Sequence, residues 1–299
     1  MTVDASALER FLRPYRVTDG AGFRLADFDP RDTASLQPGD ARDAKAVLAL
    51  GTKWLAQHQA RLAAQDRWAL LAIFQARDAA GKDSTIKHVM RGVNPQGCRV
   101  RSFKSPSSEE LDHDYLWRCQ QHLPARGEIG IFNRSYYEEV LIVRVHKHVL
   151  DSQKLDPSLV TENLWQERYE DINHFERYLT RNGTVIMKFF LHISREAQKQ
   201  RFFKRLDEPH KHWKFSPDDV RDRRHWDAYT VAYEQAIRHT ATPHAPWYVV
   251  PADHKWFTRL IVAGAICQRL ANLNLHYPVI SDDRREDFEA ARRALGREA

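Results

Sequence analysis

Apolar positions along the chain follow two rhythms. Continuous apolar runs occur at "WALLAIFQA" (68–76), "EIGIFN" (128–133), "TVIMKFFLHI" (184–193) and "PWYVVPAD" (246–253), with a shorter strand at Cys98–Phe103. Apolar runs of this length mark strands buried on both faces of a sheet. Between them the spacing is helical. Val47, Leu48, Leu50, Trp54, Leu55 and Leu62 predict a helix from Ala41 to Gln65. Another opens at Gly81-Lys82. Ser107, with Glu110 three residues on, forms a capping box. Asp156-Pro157 opens a long amphipathic helix that stops at Asn182-Gly183, with Val160, Leu164, Ile172, Phe175 and Leu179 on its inner face. Ser216, Pro217 and Asp219 read as the start of a helix, and Lys255 to Leu273 as a last core helix. Residues 281–299 are charged, a peripheral helix or a loose tail.

Strands alternating with helices predict an α/β fold, a parallel five-stranded sheet covered by helices on both faces. An irregular and helical extension is expected over 1–66, a core over 67–275 and a charged tail over 276–299. No repeat, flexible linker or low-complexity tract interrupts the 299 residues.

Charge narrows the partners. A net charge of +6 favours anions, either nucleic acid or phosphate-rich small molecules and polymers. Cys98, Cys119 and Cys267 are widely spaced and form no C-x-x-C, which argues against a disulfide framework and fits a reducing cytoplasm. No secretory leader or membrane span is expected, so a cytoplasmic location is.

Candidate chemistry begins at "FQARDAAGKDST" (74–85), nearly the phosphate-binding pattern G-x-x-x-x-G-K-[ST]. Ala76 replaces the first glycine, and Asp83 the magnesium-binding hydroxyl. The loop still follows a buried strand and opens a helix, where backbone amides bind anions and Lys82 reaches phosphates. Asp78 inside the loop would repel phosphate unless a divalent cation lay between them, so metal duty is expected to have moved to Asp78. The bland alternative is that Asp78 only caps the loop. Thr85 still offers a hydroxyl.

"FNRSYYEEV" (132–140) lies at the C-terminal end of the third expected strand, where open α/β sheets bind ligands. Arg134 there would clamp phosphate, and Asn133 and Ser135 would hold metal-bound water. Tyr136 and Tyr137 suit wall packing as well as substrate contact. In "QKQRFFKRLDEPHKHWK" (198–214), Arg201, Lys204 and Arg205 share a helical face, with Lys211 and Lys214 across a turn. After a fourth strand, small phosphotransferases carry a mobile lid of this kind, here expected over 196–225. His146/His148 and His210/His212 lack a third soft ligand, so no zinc site is expected, and no G-x-S-x-G nucleophile occurs.

Together these motifs resemble the family-2 polyphosphate kinases, from about Trp68 to Leu273. The resemblance is carried by "DAAGKDSTIKHVMRGVNPQG" (78–97), "SFKSPSSEELDHDYLWR" (102–118), "GEIGIFNRSYYEEV" (127–140), "KHWKFSPDD" (211–219) and "APWYVVPADHKWFTR" (245–259). Members nearest this pattern also lack the first loop glycine. Ser84 stands where the family usually has glycine, a change expected to stiffen the loop. The resemblance implies a P-loop kinase-like (thymidylate kinase-like) fold with a helical lid. It implies transfer of the terminal phosphate of inorganic polyphosphate to ADP and AMP, Mg2+ with Mn2+ as a substitute, and a homodimer or homotetramer. Adenine nucleotides are the implied acceptors, with guanine as the alternative base. Neither membrane nor nucleic acid is an expected partner.

By the same resemblance Asp78 binds magnesium with Asn133 and Glu138, Lys82 binds phosphate, Arg134 bridges the reacting phosphates, and Arg201 and Arg205 reach in from the lid. Ala79, Ala80, Gly81, Asp83, Ser84, Thr85, Lys87, Arg118, Asn133, Tyr137, Glu138, Lys204, Lys211 and Lys214 complete the expected substrate contacts. "NRSYYEEV" and "VNPQG" resemble the class III branch, which phosphorylates nucleoside mono- and diphosphates. The first class has asparagine where Glu138 stands, making Glu138 the candidate for acceptor choice, through a second metal or a water where an extra phosphate would lie.

A nucleotide phosphate is already ionised, so the reaction requires cancelled repulsion and in-line alignment rather than a strong base. Activity is expected to fall as salt rises. The rivals are an ATP-dependent nucleoside monophosphate kinase, opposed by Asp78 and Asp83, and a non-catalytic binder of polyphosphate or RNA, which would need no Asp78.

Overall fold

The computed structural model describes residues 5–298. Helix α1 (Ala5–Leu12) and the two-residue strand β1 (Arg16–Val17) precede irregular chain and the 25-residue α2 (Ala41–Gln65). Strand β2 (Ala69–Ala76) runs into α3 (Lys82–Val89), and β3 (Cys98–Ser102) into the short α4 (Ser108–Leu111) and α5 (Trp117–Gln120). After β4 (Ile129–Asn133) come α6 (Ile142–Val145), α7 (His148–Asp151) and α8 (Leu164–Arg181). Strand β5 (Thr184–His192) leads to α9 (Arg195–Asp207), α10 (Pro217–Asp222) and α11 (Trp226–Thr240). Strand β6 (Trp247–Pro251) leads to α12 (Lys255–Ala271) and the exposed α13 (Asp282–Leu295).

The strands order as β1-β6-β5-β2-β4-β3. The last five are parallel, as the apolar runs predict, but the sheet has six strands. Strand β1 adds to one edge antiparallel to β6, with Arg16 opposite Tyr248 and Val17 opposite Trp247. Two residues carry no periodicity; the burial of Leu12 and Tyr15 beside them puts β1 in place.

Alternation along β2 builds the two cores. Leu70, Ala72 and Phe74 face α2 and α12, packing with Leu55, Leu62, Ile261 and Ile266. Leu71 and Ile73 face α8 and α11, packing with Ile172, Leu179 and Ile237. A central parallel strand must be apolar on both sides, and every residue of β2 is buried.

Two expected faces need correction. Asp156 caps only a short turn at Pro157–Leu159, and the long helix begins later, so Val160 is exposed rather than inward-facing. On α2, Val47 and Leu50 are exposed, which leaves Leu55 and Leu62 as its fully buried anchors. Both capping boxes form, Ser107 with Glu110 and Ser216 with Asp219. Among the described residues no helix is long and apolar enough to cross a membrane.

Register aligns the strand ends. Asn133 lies opposite both Phe74 and Ser102, Ala76 opposite Leu191, and His192 opposite Pro251. The segments that follow five strands therefore meet along one rim.

Candidate active site

The loop between β2 and α3 turns through two left-handed residues, Ala79 (φ 60°) and Gly81 (φ 104°). Its carbonyls are engaged from behind. Lys82 Nζ donates to the Ala76 carbonyl at 2.9 Å, Gln198 Nε2 to that of Asp78 at 2.9 Å, and Arg201 Nη1 to those of Ala79 and Ala80 at 3.0 and 2.8 Å. Lys82 is buried, and burial followed by the nearby Arg134 pulls its amine below the usual lysine range, against the opposing pull of Asp78, Glu138 and Asp83.

Opposite the loop stands Arg134, one residue beyond β4. It is held in the left-handed region (φ 65°), where its amide donates to the Phe74 carbonyl at 2.9 Å. Such a conformation costs a non-glycine residue about 1–3 kcal/mol and collects at functional sites. Arg134 Nη2 meets Asp78 Oδ1 at 3.0 Å and Nη1 meets Glu138 Oε2 at 3.3 Å. These pairs, Glu138 first, raise its already high basicity. Gln75 Nε2 donates to the other oxygen of Glu138 at 3.0 Å. Asn133 Nδ2 donates to Asp83 at 2.7 Å, which leaves its carbonyl oxygen as the end open to a cation. Asp78 and Glu138 thus sit on the two terminal nitrogens of Arg134, with Asn133 one residue before it, and carboxylate and amide oxygens are the kind of donor that suits magnesium.

Helix α9 and the turn that follows it (Pro209–Lys214) border a cleft of about 630 Å³ lined by the loop, Asn133, Arg134, Lys104 and a row of cations: Arg201, Lys204, Arg205, Lys211, Lys214 and Lys255. Several are matched by carboxylates. Arg205 meets Asp219 at 3.0 Å, Lys204 meets Glu208 at 3.6 Å, and Lys211 also pairs with Glu208. Burial, then the charge of Asp78, pushes the Asp219 carboxyl up. Burial and the neighbouring cations push the Lys255 amine down.

A second cavity, about 190 Å³, opens beside Arg134, Lys104 and Ser105. Leu111, Tyr115, Ile142, Val143 and Leu155 give it apolar walls, while Arg118, Glu138 and Arg168 give it polar corners. An apolar-walled cavity with a few convergent polar groups is the usual form of a small-molecule site.

Most expected site residues gather here, with exceptions. Tyr137 is fully buried, its hydroxyl bonded to Glu176 and Lys188, so it is a core residue and not a substrate contact. Ser135 is buried and caps the amide of Tyr137. Lys87 is exposed on α3 and lines neither cavity; Thr85 is buried beneath the same helix. Arg118 lies at the second cavity, bonded to the Lys104 carbonyl at 2.8 Å. Arg201 has both terminal nitrogens on backbone carbonyls, those of Ala252 and Asp253 included, so it braces the loop. Ser84 accepts from Arg259 at 2.9 Å, a tie from α3 to α12 that glycine would lack. Sequence spacing missed Lys104, Lys255, Gln198 and Asp219. The first two each follow a strand's carboxyl end, a signal available in "SFKS" and "PADHK"; the others show only in three dimensions.

Comparison with known proteins agrees with this geometry. The family model for polyphosphate kinase 2 matches residues 39–277. An ADP-polyphosphate phosphotransferase from Rhodopseudomonas palustris is 49% identical over 242 residues, 81% of this chain and 84% of the relative. An AMP/ADP-polyphosphate phosphotransferase from Meiothermus ruber is 45% identical over 267 residues, covering 89% of this chain and 96% of the relative. The crystal structure of a polyphosphate kinase 2 from Arthrobacter aurescens superposes with a TM-score of 0.84 at 41% identity, covering 96% of each chain. With a family match over residues 39–277 and relatives this similar over most of their own length, the chain belongs to the polyphosphate kinase 2 family.

Proposed function

We propose that this polyphosphate kinase transfers the terminal phosphate of inorganic polyphosphate to both ADP and AMP, reversibly, with Mg2+ and with Mn2+ as a substitute. The observation that carries the proposal is the adjacency of the two cavities. The cation-lined cleft suits a long polyanion, the apolar-walled cavity suits a nucleoside, and Arg134 lines both. Adenine nucleotides are the proposed acceptors.

The chain's own groups divide the work. Lys82 and the loop amides hold the donor end, and Lys204, Arg205, Lys211 and Lys214 hold the chain behind it. Arg134 lies between donor and acceptor and exchanges its carboxylate partners for phosphate oxygens as substrates enter. The acceptor oxygen is already anionic, so alignment and charge cancellation supply the rate. Asp78, Glu138 and Asn133 would hold magnesium, which when bound screens the two polyanions from each other. Among the described residues no group of three or more His, Cys, Asp or Glu gathers to hold a metal, so substrate oxygens and water would complete the shell.

The test is product analysis of AMP incubated with long-chain polyphosphate and magnesium in ADP-free solution. ADP followed by ATP is the expected sequence. ATP from added ADP with AMP left untouched would remove the monophosphate half of the proposal.

A further inference from the structure

The lid leaves the core as α9 and returns through α10 to a single turn at Arg223–His225 before α11. Arg223 closes the neck of this excursion. Its Nη1 donates to the Arg195 carbonyl at 3.1 Å and to Gln198 Oε1 at 2.6 Å. The other end of the same amide, Nε2, donates to the Asp78 carbonyl at 2.9 Å. Gln198 is 4% exposed, so water cannot readily replace either bond. The amide has one workable orientation, because a flip would set its NH2 against a guanidinium and its oxygen against a carbonyl.

The far side of the loop is tied as well. Arg77 stacks on Trp226 at 3.8 Å and donates to the Trp226 carbonyl at 3.1 Å and to Thr230 Oγ1. The outgoing and the returning end of the lid are therefore attached to residues 78 and 77 respectively. Displacement of the neck would displace Asp78.

We propose that Gln198, oriented by Arg223, is a positioning residue for phosphoryl transfer that fixes Asp78 from the neck of the lid. This rests on the phosphotransfer reading above. Most of a long polyphosphate chain meets cations elsewhere on the lid, beyond the donor end held by the loop, so loss of the clasp lowers turnover far more than donor affinity.

The test is kcat and KM for long-chain polyphosphate, at saturating ADP and magnesium, in Gln198→Leu, Gln198→Glu, Arg223→Leu and the double Gln198→Leu/Arg223→Leu. Gln198→Glu keeps an acceptor for Arg223 but sets a carboxylate oxygen against the Asp78 carbonyl, which separates the clasp from packing. Each single variant should lose about ten- to a hundredfold in kcat, the scale of a misplaced reacting group. KM should change by less than about twofold, and the double should be no worse than the worse single. Losses that multiply in the double, or wild-type kcat in Gln198→Glu, would overturn the proposal. Hydrogen–deuterium exchange of amides 78–84 in the substrate-free proteins reads the clasp without turnover. Faster exchange in every variant is expected, and unchanged exchange would overturn it. A wild type that transfers no phosphate would contradict the proposed function instead, and exchange would still decide the clasp.

Discussion

Arg134 concentrates the chemistry of the site in one side chain. Its backbone is strained, and its guanidinium lies between Asp78 and Glu138, the two carboxylates on either side of the proposed transfer path. Glu138 is the more informative of these because Gln75 and Arg134 fix both of its oxygens on the wall of the apolar-walled cavity. A carboxylate there can hold a metal or a water where a shorter acceptor leaves room, whereas asparagine cannot supply the charge. Glu138→Asn should therefore lower kcat/KM for AMP by about tenfold, the scale of one hydrogen bond to a charged group, and lower it much less for ADP. Side-by-side kinetics with the two acceptors check this, and equal losses would sink the role given to Glu138.

At the scale of elements, the turn that carries Arg134 and Glu138 rests on a buried ion pair. Lys188 in β5 and Glu176 in α8 are both fully buried, 2.6 Å apart, and the hydroxyls of Tyr136 and Tyr137 also meet Glu176 at 2.9 Å. Burial raises the Glu176 carboxyl and lowers the Lys188 amine, each opposed by the other's charge. Lys188→Met should cost about 3–5 kcal/mol in urea unfolding at neutral pH, because Glu176 is left without its cation. The sign of the pH dependence follows. With Glu176 raised in the folded state, that state binds more protons than the unfolded one between about pH 4.5 and the raised folded value, so stability falls as pH rises through that window. The variant should regain stability as pH drops back through it, and Lys188→Met/Glu176→Leu should recover most of the loss. A pH-independent penalty would contradict this account.

Elements also explain what the sequence could and could not show. "WALLAIFQA" is legible because a central parallel strand needs both faces apolar. Pro157 misleads because it opens a turn as readily as a helix, and the chain turns again before Leu164. Tyr137 follows Ser135 near the site in sequence, yet its side chain turns into the sheet, a choice made by Glu176 and Lys188 from distant segments. Lid cations are legible as a basic face. Their carboxylate partners Glu208 and Asp219 are not, since a charge run does not reveal which opposite charges fold against it.

Over the whole molecule, parallel register brings five strand ends to one rim, and the cations after β3, β4, β5 and β6 converge on the loop after β2. A chain of net charge +6 thus gathers cations along the cleft, which favours a polyanion there. The central claim is that this convergence moves phosphate from polyphosphate to a nucleotide through Lys82. The most direct measurement is ATP formation, by luciferase, from long-chain polyphosphate, ADP and magnesium, with wild type beside Lys82→Ala. ATP from the wild type and loss of about a hundredfold or more in the variant is the predicted result. A folded wild type that forms no ATP, or a Lys82→Ala protein as active as wild type, would contradict the account.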